Sequence, residues 1–107
     1  MKRYIVSADA RADLDEIWDY IAGRSSGETA STFFWRLYIS FTSLAQSPSA
    51  GVVVPGLGEE SVRKFPVGNY LIYYRPMRAK VMILRVVHGK RIQLRALQSD
   101  PRRPRRA

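Results

Sequence analysis

The chain has 107 residues, no Cys, a single His and a net charge of +9, with 46% hydrophobic and 11% aromatic residues. That length and apolar content fit one domain that buries its own core, while the missing Cys excludes a disulfide framework and a thiolate metal site. The charge is lopsided: residues 1–60 hold 5 basic and 8 acidic side chains, residues 61–107 hold 13 basic and 1 acidic. Such asymmetry marks a surface that meets a polyanion, whether nucleic acid, acidic membrane or acidic protein segment.

Tyr4 to Ser7 reads as a first strand, after a basic start with too short an apolar run for a secretory signal. No apolar run approaches the roughly 20 residues that span a bilayer, so a cytoplasmic protein is expected. Ser7 reads as a helix N-cap, with Asp9 and Asp13 near the positive end of the helix that follows. Ala10, Leu14, Ile17 and Ile21 recur at spacings of four, three and four, one helical face, flanked by Trp18. Ser25, Ser26 and Gly27 break that helix, and a second runs from about Glu28 to Gln46. Its stripe is Ala30, Phe34, Leu37, Phe41 and Leu44, and Pro48 stops it. The short break between the two predicts an antiparallel helical hairpin.

Residues 48–61, with two Pro, three Gly and a Val52–Val54 run, read as an ordered loop. Three strands follow: Val62 to Phe65, Tyr70 to Arg75, and Lys80 to His88, with turn chemistry at Pro66, Gly68 and Asn69. Strict alternation puts Met82, Leu84 and Val86 on one face of the last strand, Val81, Ile83 and Val87 on the other. The fold class is α+β: an N-terminal strand, a helical hairpin, a three-stranded antiparallel sheet and a short basic C-terminal segment. Residues 1–97 form the domain. Residues 98–107, with four Arg and two Pro at the end, form a basic tail expected to be disordered.

The order and spacing of these residues resemble the RelE/ParE superfamily of small toxins, nearer to its ParE branch. Ser7, Ala10, Asp13, Leu14, Ile17, Tyr20 and Ile21 follow the pattern of the first helix. Leu44, Pro48 and Gly51 follow the exit from the second. Arg63, Tyr70, Ile72, Tyr74, Ile83, Leu84, Val86, His88 and Gly89 follow the sheet. Ile92 and Gln93 depart from the acidic residue common after the His-Gly pair, and the Arg-rich tail lies outside the pattern.

The resemblance implies a toxin of a type II toxin–antitoxin pair, bound by a cognate ParD-like antitoxin in a hetero-oligomer, with no cofactor or metal. ParE-like members poison DNA gyrase; RelE-like members cut mRNA on the ribosome. For gyrase, with or without its DNA, the expected contact residues are Arg63, Lys64, Arg85, Lys90, Arg91 and Arg95. For the antitoxin they are Trp18, Trp35, Tyr38 and Tyr74. RNA cleavage needs a base and cations about the phosphate, for which His88 and Arg85 are the candidates. Strand alternation points those two to opposite faces, so binding without turnover is the leading reading. A scaffold that only binds its antitoxin is a third.

Overall fold

The computed structural model describes residues 3–56 and 61–89. Two helices pack on one face of a five-stranded mixed sheet. Strand β1 (Arg3–Val6) leads into α1 (Ala8–Arg24) and α2 (Gly27–Gln46). A 3-10 turn at Pro48–Ala50 then precedes β2 (Val52–Val54), β3 (Val62–Val67), β4 (Tyr70–Pro76) and β5 (Lys80–His88). The strand order is β1-β5-β4-β3-β2.

This corrects the expected three-stranded antiparallel sheet in two places. The first strand joins the sheet, pairing parallel with β5 from Arg3↔Lys80 to Val6↔Ile83. The Val52–Val54 run is an edge strand antiparallel to β3, not loop. Three valines favour the pleated conformation, but a partner ten residues ahead is what turns them into a strand.

Each helix starts where a serine accepts an orphan amide. Ala10 N–H donates to Ser7 Oγ at 3.0 Å, and Thr29 N–H to Ser26 Oγ at 3.0 Å. The apolar stripes of both helices turn inward. Leu37 and Phe41 of α2 are fully buried, and they meet Ile72, Tyr74, Val81 and Ile83 of the sheet in one core. A second, smaller cluster forms on the opposite sheet face from Val62, Tyr73 and Val87, with Val54, Leu71 and Leu84 against it.

The β4–β5 ladder carries a bulge. Tyr73 pairs with Arg85 and Tyr74 with Ile83, so Leu84 is the extra residue. An extra residue reverses the alternation beyond it. Val86 therefore joins Val81 and Ile83 in the helix-side core, while Leu84 packs with the second cluster. The expectation that Leu84 and Val86 share a face is overturned.

Candidate functional site

The bulge is stitched to the start of α1. Ser7 N–H donates to Ile83 O at 3.0 Å, and the Ser7 hydroxyl donates to Leu84 O at 2.9 Å. Six residues on, Asp13 Oδ2 accepts the Val86 backbone N–H at 2.9 Å. A bulge disrupts the ladder locally, and here the amide just past it is satisfied by a side chain.

The same carboxylate takes Arg85 in a fork: Nε to Oδ2 at 2.7 Å and Nη2 to Oδ1 at 2.9 Å. That bond holds the Arg85 guanidinium above its ordinary pKa, outweighing the opposite effect of burial. Arg85 thus ties the sheet to α1. Arg85 and His88 both follow the bulge, so their expected opposition of faces holds in the register: Arg85 pairs with Tyr73 of the second cluster, and His88 with Tyr70, which packs against the helix-side core. His88 sits edge-on to Tyr70, ring centroids 5.1 Å apart, and Tyr70 packs on Phe33 of α2 at 5.2 Å.

A second polar knot fastens the exit from α2. Tyr74 Oη donates to Pro48 O at 2.7 Å and accepts the Gly51 N–H at 2.8 Å. Arg63 Nη1 donates to Gly51 O at 2.7 Å and to Ser49 O at 3.3 Å. Burial raises the Tyr74 pKa, partly opposed by the Gly51 bond and the Arg63 charge. Tyr74 is 0% exposed, so it belongs to the core and not to the antitoxin surface expected for it. Arg63 likewise grips backbone carbonyls of its own chain. Lys64 lies across from Tyr73 on β3, half-exposed. Lys90, Arg91, Arg95 and the 98–107 tail lie outside the described residues.

Tyr73 behaves unlike its neighbour. It is 1% exposed, and its hydroxyl has no hydrogen-bond partner among the described residues. Burial alone raises its pKa. Tyr73→Phe is expected to keep or raise stability, by up to about 1 kcal/mol, because a buried hydroxyl without a partner is disfavoured. A chemical-denaturation midpoint reads this, and a clear loss of stability would contradict it. With both tyrosine pKa values raised on folding, their contribution is complete below the ordinary value near 10. Stability is expected to fall as pH climbs past that value. In Tyr73→Phe the alkaline fall should be shallower.

On the outer side of the helical hairpin the structure brings together three expected residues in one groove. Leu14, Asp15 and Trp18 of α1 face Phe34, Trp35 and Tyr38 of α2 across it. Trp18 meets Phe34 edge-on at 5.2 Å, and Tyr38 meets Phe34 at 6.0 Å. Trp35 is 68% exposed and Tyr38 42%, which is large for aromatic side chains that normally bury their area. The 3.6-residue period shows which residues leave the core stripe, and all three lie at its margins. It gives no signal for Asp13 and the bulge, or for the knot at Gly51. Both are long-range contacts between polar groups.

Among the described residues, no cluster of three or more His and acidic side chains could hold a metal ion. No described helix is long and apolar enough to cross a membrane.

The comparisons with known proteins agree with this architecture. A family model described as the ParE toxin of the type II toxin–antitoxin system parDE matches residues 4–93. Toxin ParE1 of Caulobacter vibrioides is 33% identical over 88 residues, which cover 82% of this chain and 90% of that protein. Toxin ParE1 of Mycobacterium tuberculosis is 27% identical over 89 residues, with the same coverage of 82% and 90%. Among solved structures, a chain of the chromosomal ParDE TA system from P. aeruginosa superposes with a TM-score of 0.68 at 22% identity. That match covers 84% of this chain and 97% of the other, and at such identity it shows the shared fold.

Proposed function

Since the chain belongs to the ParE toxin family of type II toxin–antitoxin systems, we propose that it inhibits DNA gyrase by binding rather than by turnover. Replication stops as a result, in the cytoplasm where gyrase works, and a cognate ParD-like antitoxin neutralises the toxin in a hetero-oligomer. Gyrase is the target that the ParE resemblance implies. One observation supports binding over chemistry. The cation nearest to His88 along β5, Arg85, is held in a fork by Asp13, and the His88 ring packs on Tyr70. General acid–base cleavage of RNA needs such groups converging on one phosphate.

The toxin domain is residues 1–97, with 98–107 as its basic tail. The proposed gyrase contacts are cations of the basic second half of the chain: Lys64 on β3, together with Lys90, Arg91 and Arg95. Arg63 and Arg85 add positive charge while they hold the scaffold. His88→Ala tests the mode of action. Growth arrest on induction is expected to weaken by less than about 10-fold, whereas loss of a general base costs roughly 10²- to 10⁴-fold. A collapse of that size, accompanied by cut mRNA, would replace this reading with ribosome-dependent endonuclease activity.

The antitoxin is proposed to lay an amphipathic segment on the groove of Trp18, Trp35 and Tyr38. Exposed aromatic residues of this kind dominate binding energies when covered, with Trp truncation costing about 2 kcal/mol or more. Trp35→Ala is therefore expected to weaken antitoxin binding by roughly 30-fold with little change in melting temperature. Unchanged affinity by calorimetry would move the antitoxin elsewhere.

A further inference from the structure

We infer that the groove between α1 and α2 is where the free toxin pairs with a second copy of itself, in a twofold dimer that sets Trp35 of each copy against Tyr38 of the other. Trp35 is 68% exposed, Tyr38 42% and Ile39 50%. Their spacings of three and one put all three on one face of α2. Single exposed apolar residues are ordinary, but three together at the wall of an aromatic groove form a patch of the kind that another chain covers. Trp and Tyr are also the residues that carry most of the energy of such contacts.

The charges in the groove identify the occupant. Arg11 and Asp15 both line it, four residues apart on α1. Neither has an ion-pair partner among the described residues, and a base four residues before an acid is the weaker order for a pair within one helix. A groove lined by one cation and one anion is complementary to itself. A twofold axis lying across the hairpin sets α1 antiparallel to α1 of the other copy, and Arg11 of each then meets Asp15 of the other. The same axis sets α2 antiparallel to α2 and brings Trp35 of each copy to Tyr38 of the other. One symmetry operation matches both pairs.

Net charge does not oppose contact through this face. The chain carries +9, but residues 1–60, to which the hairpin belongs, hold 5 basic and 8 acidic side chains. Two copies that meet there do so through the half without excess positive charge. An aromatic side chain buries about 150–250 Å² when fully covered. Trp35 and Tyr38 of both copies therefore supply only part of the roughly 1,200–2,000 Å² of a stable interface. The dimer is weak, with dissociation in the micromolar range. The free toxin covers its own aromatic patch, and the antitoxin proposed for this groove must displace the second copy.

Sedimentation equilibrium of the purified full chain, from micromolar to submillimolar concentration, tests this. A reversible monomer–dimer equilibrium is expected. Arg11→Asp alone and Asp15→Arg alone should each weaken it by roughly 10-fold or more, because like charges then face each other twice per dimer. An equimolar mixture of those two chains should associate about as well as wild type, since every contact again joins a cation to an anion. Trp35→Ala should weaken pairing by roughly 100-fold, from one anchor lost on each copy. All three positions are exposed, and melting curves check that each variant is folded. Where a single charge variant folds poorly, the double variant Arg11→Asp with Asp15→Arg decides, and it should pair like wild type. A monomer at every concentration would overturn the inference. So would a dimer that these substitutions leave unchanged, or a mixture that associates no better than its components, since the interface would then lie elsewhere. Neither antitoxin nor gyrase enters the experiment, so failure here leaves the proposed function standing.

Discussion

Asp13→Ala is expected to lower the melting temperature by roughly 15 °C, from a loss of about 3 kcal/mol. Two losses combine in it. The Arg85 guanidinium, with only 22% of its side chain exposed, loses its bidentate carboxylate. The Val86 N–H loses the side-chain acceptor that stands beside the bulge. Removing one partner of a poorly solvated pair leaves the other charged and unmatched, which costs far more than the pair contributes relative to an apolar substitute. Asp13→Asn keeps one oxygen for Val86 and should lose less. Arg85→Ala combined with Asp13→Ala should fall short of the sum of the single effects by 1–3 kcal/mol. A melting temperature within about 3 °C of wild type for Asp13→Ala would mean that the α1–β5 contact rests on apolar packing alone.

Gly51→Ala is expected to be nearly as damaging, by about 2–3 kcal/mol. Conformational freedom is not the reason, since φ at Gly51 is −81°. Space is. A Cβ there would lie 2.7 Å from Lys64 O, 2.7 Å from Tyr74 Oη and 2.8 Å from Tyr74 Cε1. The carbonyl belongs to the β2–β3 ladder and the ring is fully buried, so neither can yield cheaply. Tyr74→Phe removes the hydroxyl that bridges Pro48 O and Gly51 N–H and should cost about 2 kcal/mol by stranding them. In the double variant, Gly51→Ala should cost less than alone, because the nearest side-chain atom is gone. Urea midpoints of the four proteins read the cycle. A neutral Gly51→Ala would mean that the β2 edge moves aside freely.

Neighbouring tyrosines at 73 and 74 illustrate what a sequence can and cannot convey. Both are apolar-bodied residues in a strand run, and period-two alternation correctly sends them to opposite faces. That one hydroxyl is a double-bonded clasp and the other has no partner depends on Pro48 and Gly51, more than twenty residues away. The helices were legible almost to the residue, because their signals are local: Ser7 and Ser26 cap them, and Ala30, Phe34, Leu37, Phe41 and Leu44 keep one period. The middle strands were legible for the same reason. Sheet membership of β1 and β2 was not, since an edge strand is defined by its partner. Nor was the bulge at Leu84, because either alternation of Met82 to Val87 is apolar on both faces. The site followed this divide. Trp18, Trp35 and Tyr38 stand at the margins of periodic stripes and are found together in the groove, whereas Arg63 and Arg85, read as free surface charge, have partners remote in sequence.

DNA supercoiling by gyrase, measured with the purified, folded toxin and with or without its cognate antitoxin, bears most directly on what the protein does. Inhibition that rises with toxin, leaves trapped cleaved DNA, and is reversed by the antitoxin is the expected result. His88→Ala should inhibit nearly as well, while charge reversal at Lys64, Lys90 and Arg91 should weaken inhibition strongly. Undiminished supercoiling by the host's own gyrase, at toxin concentrations that arrest growth, would contradict gyrase poisoning and point to a different target.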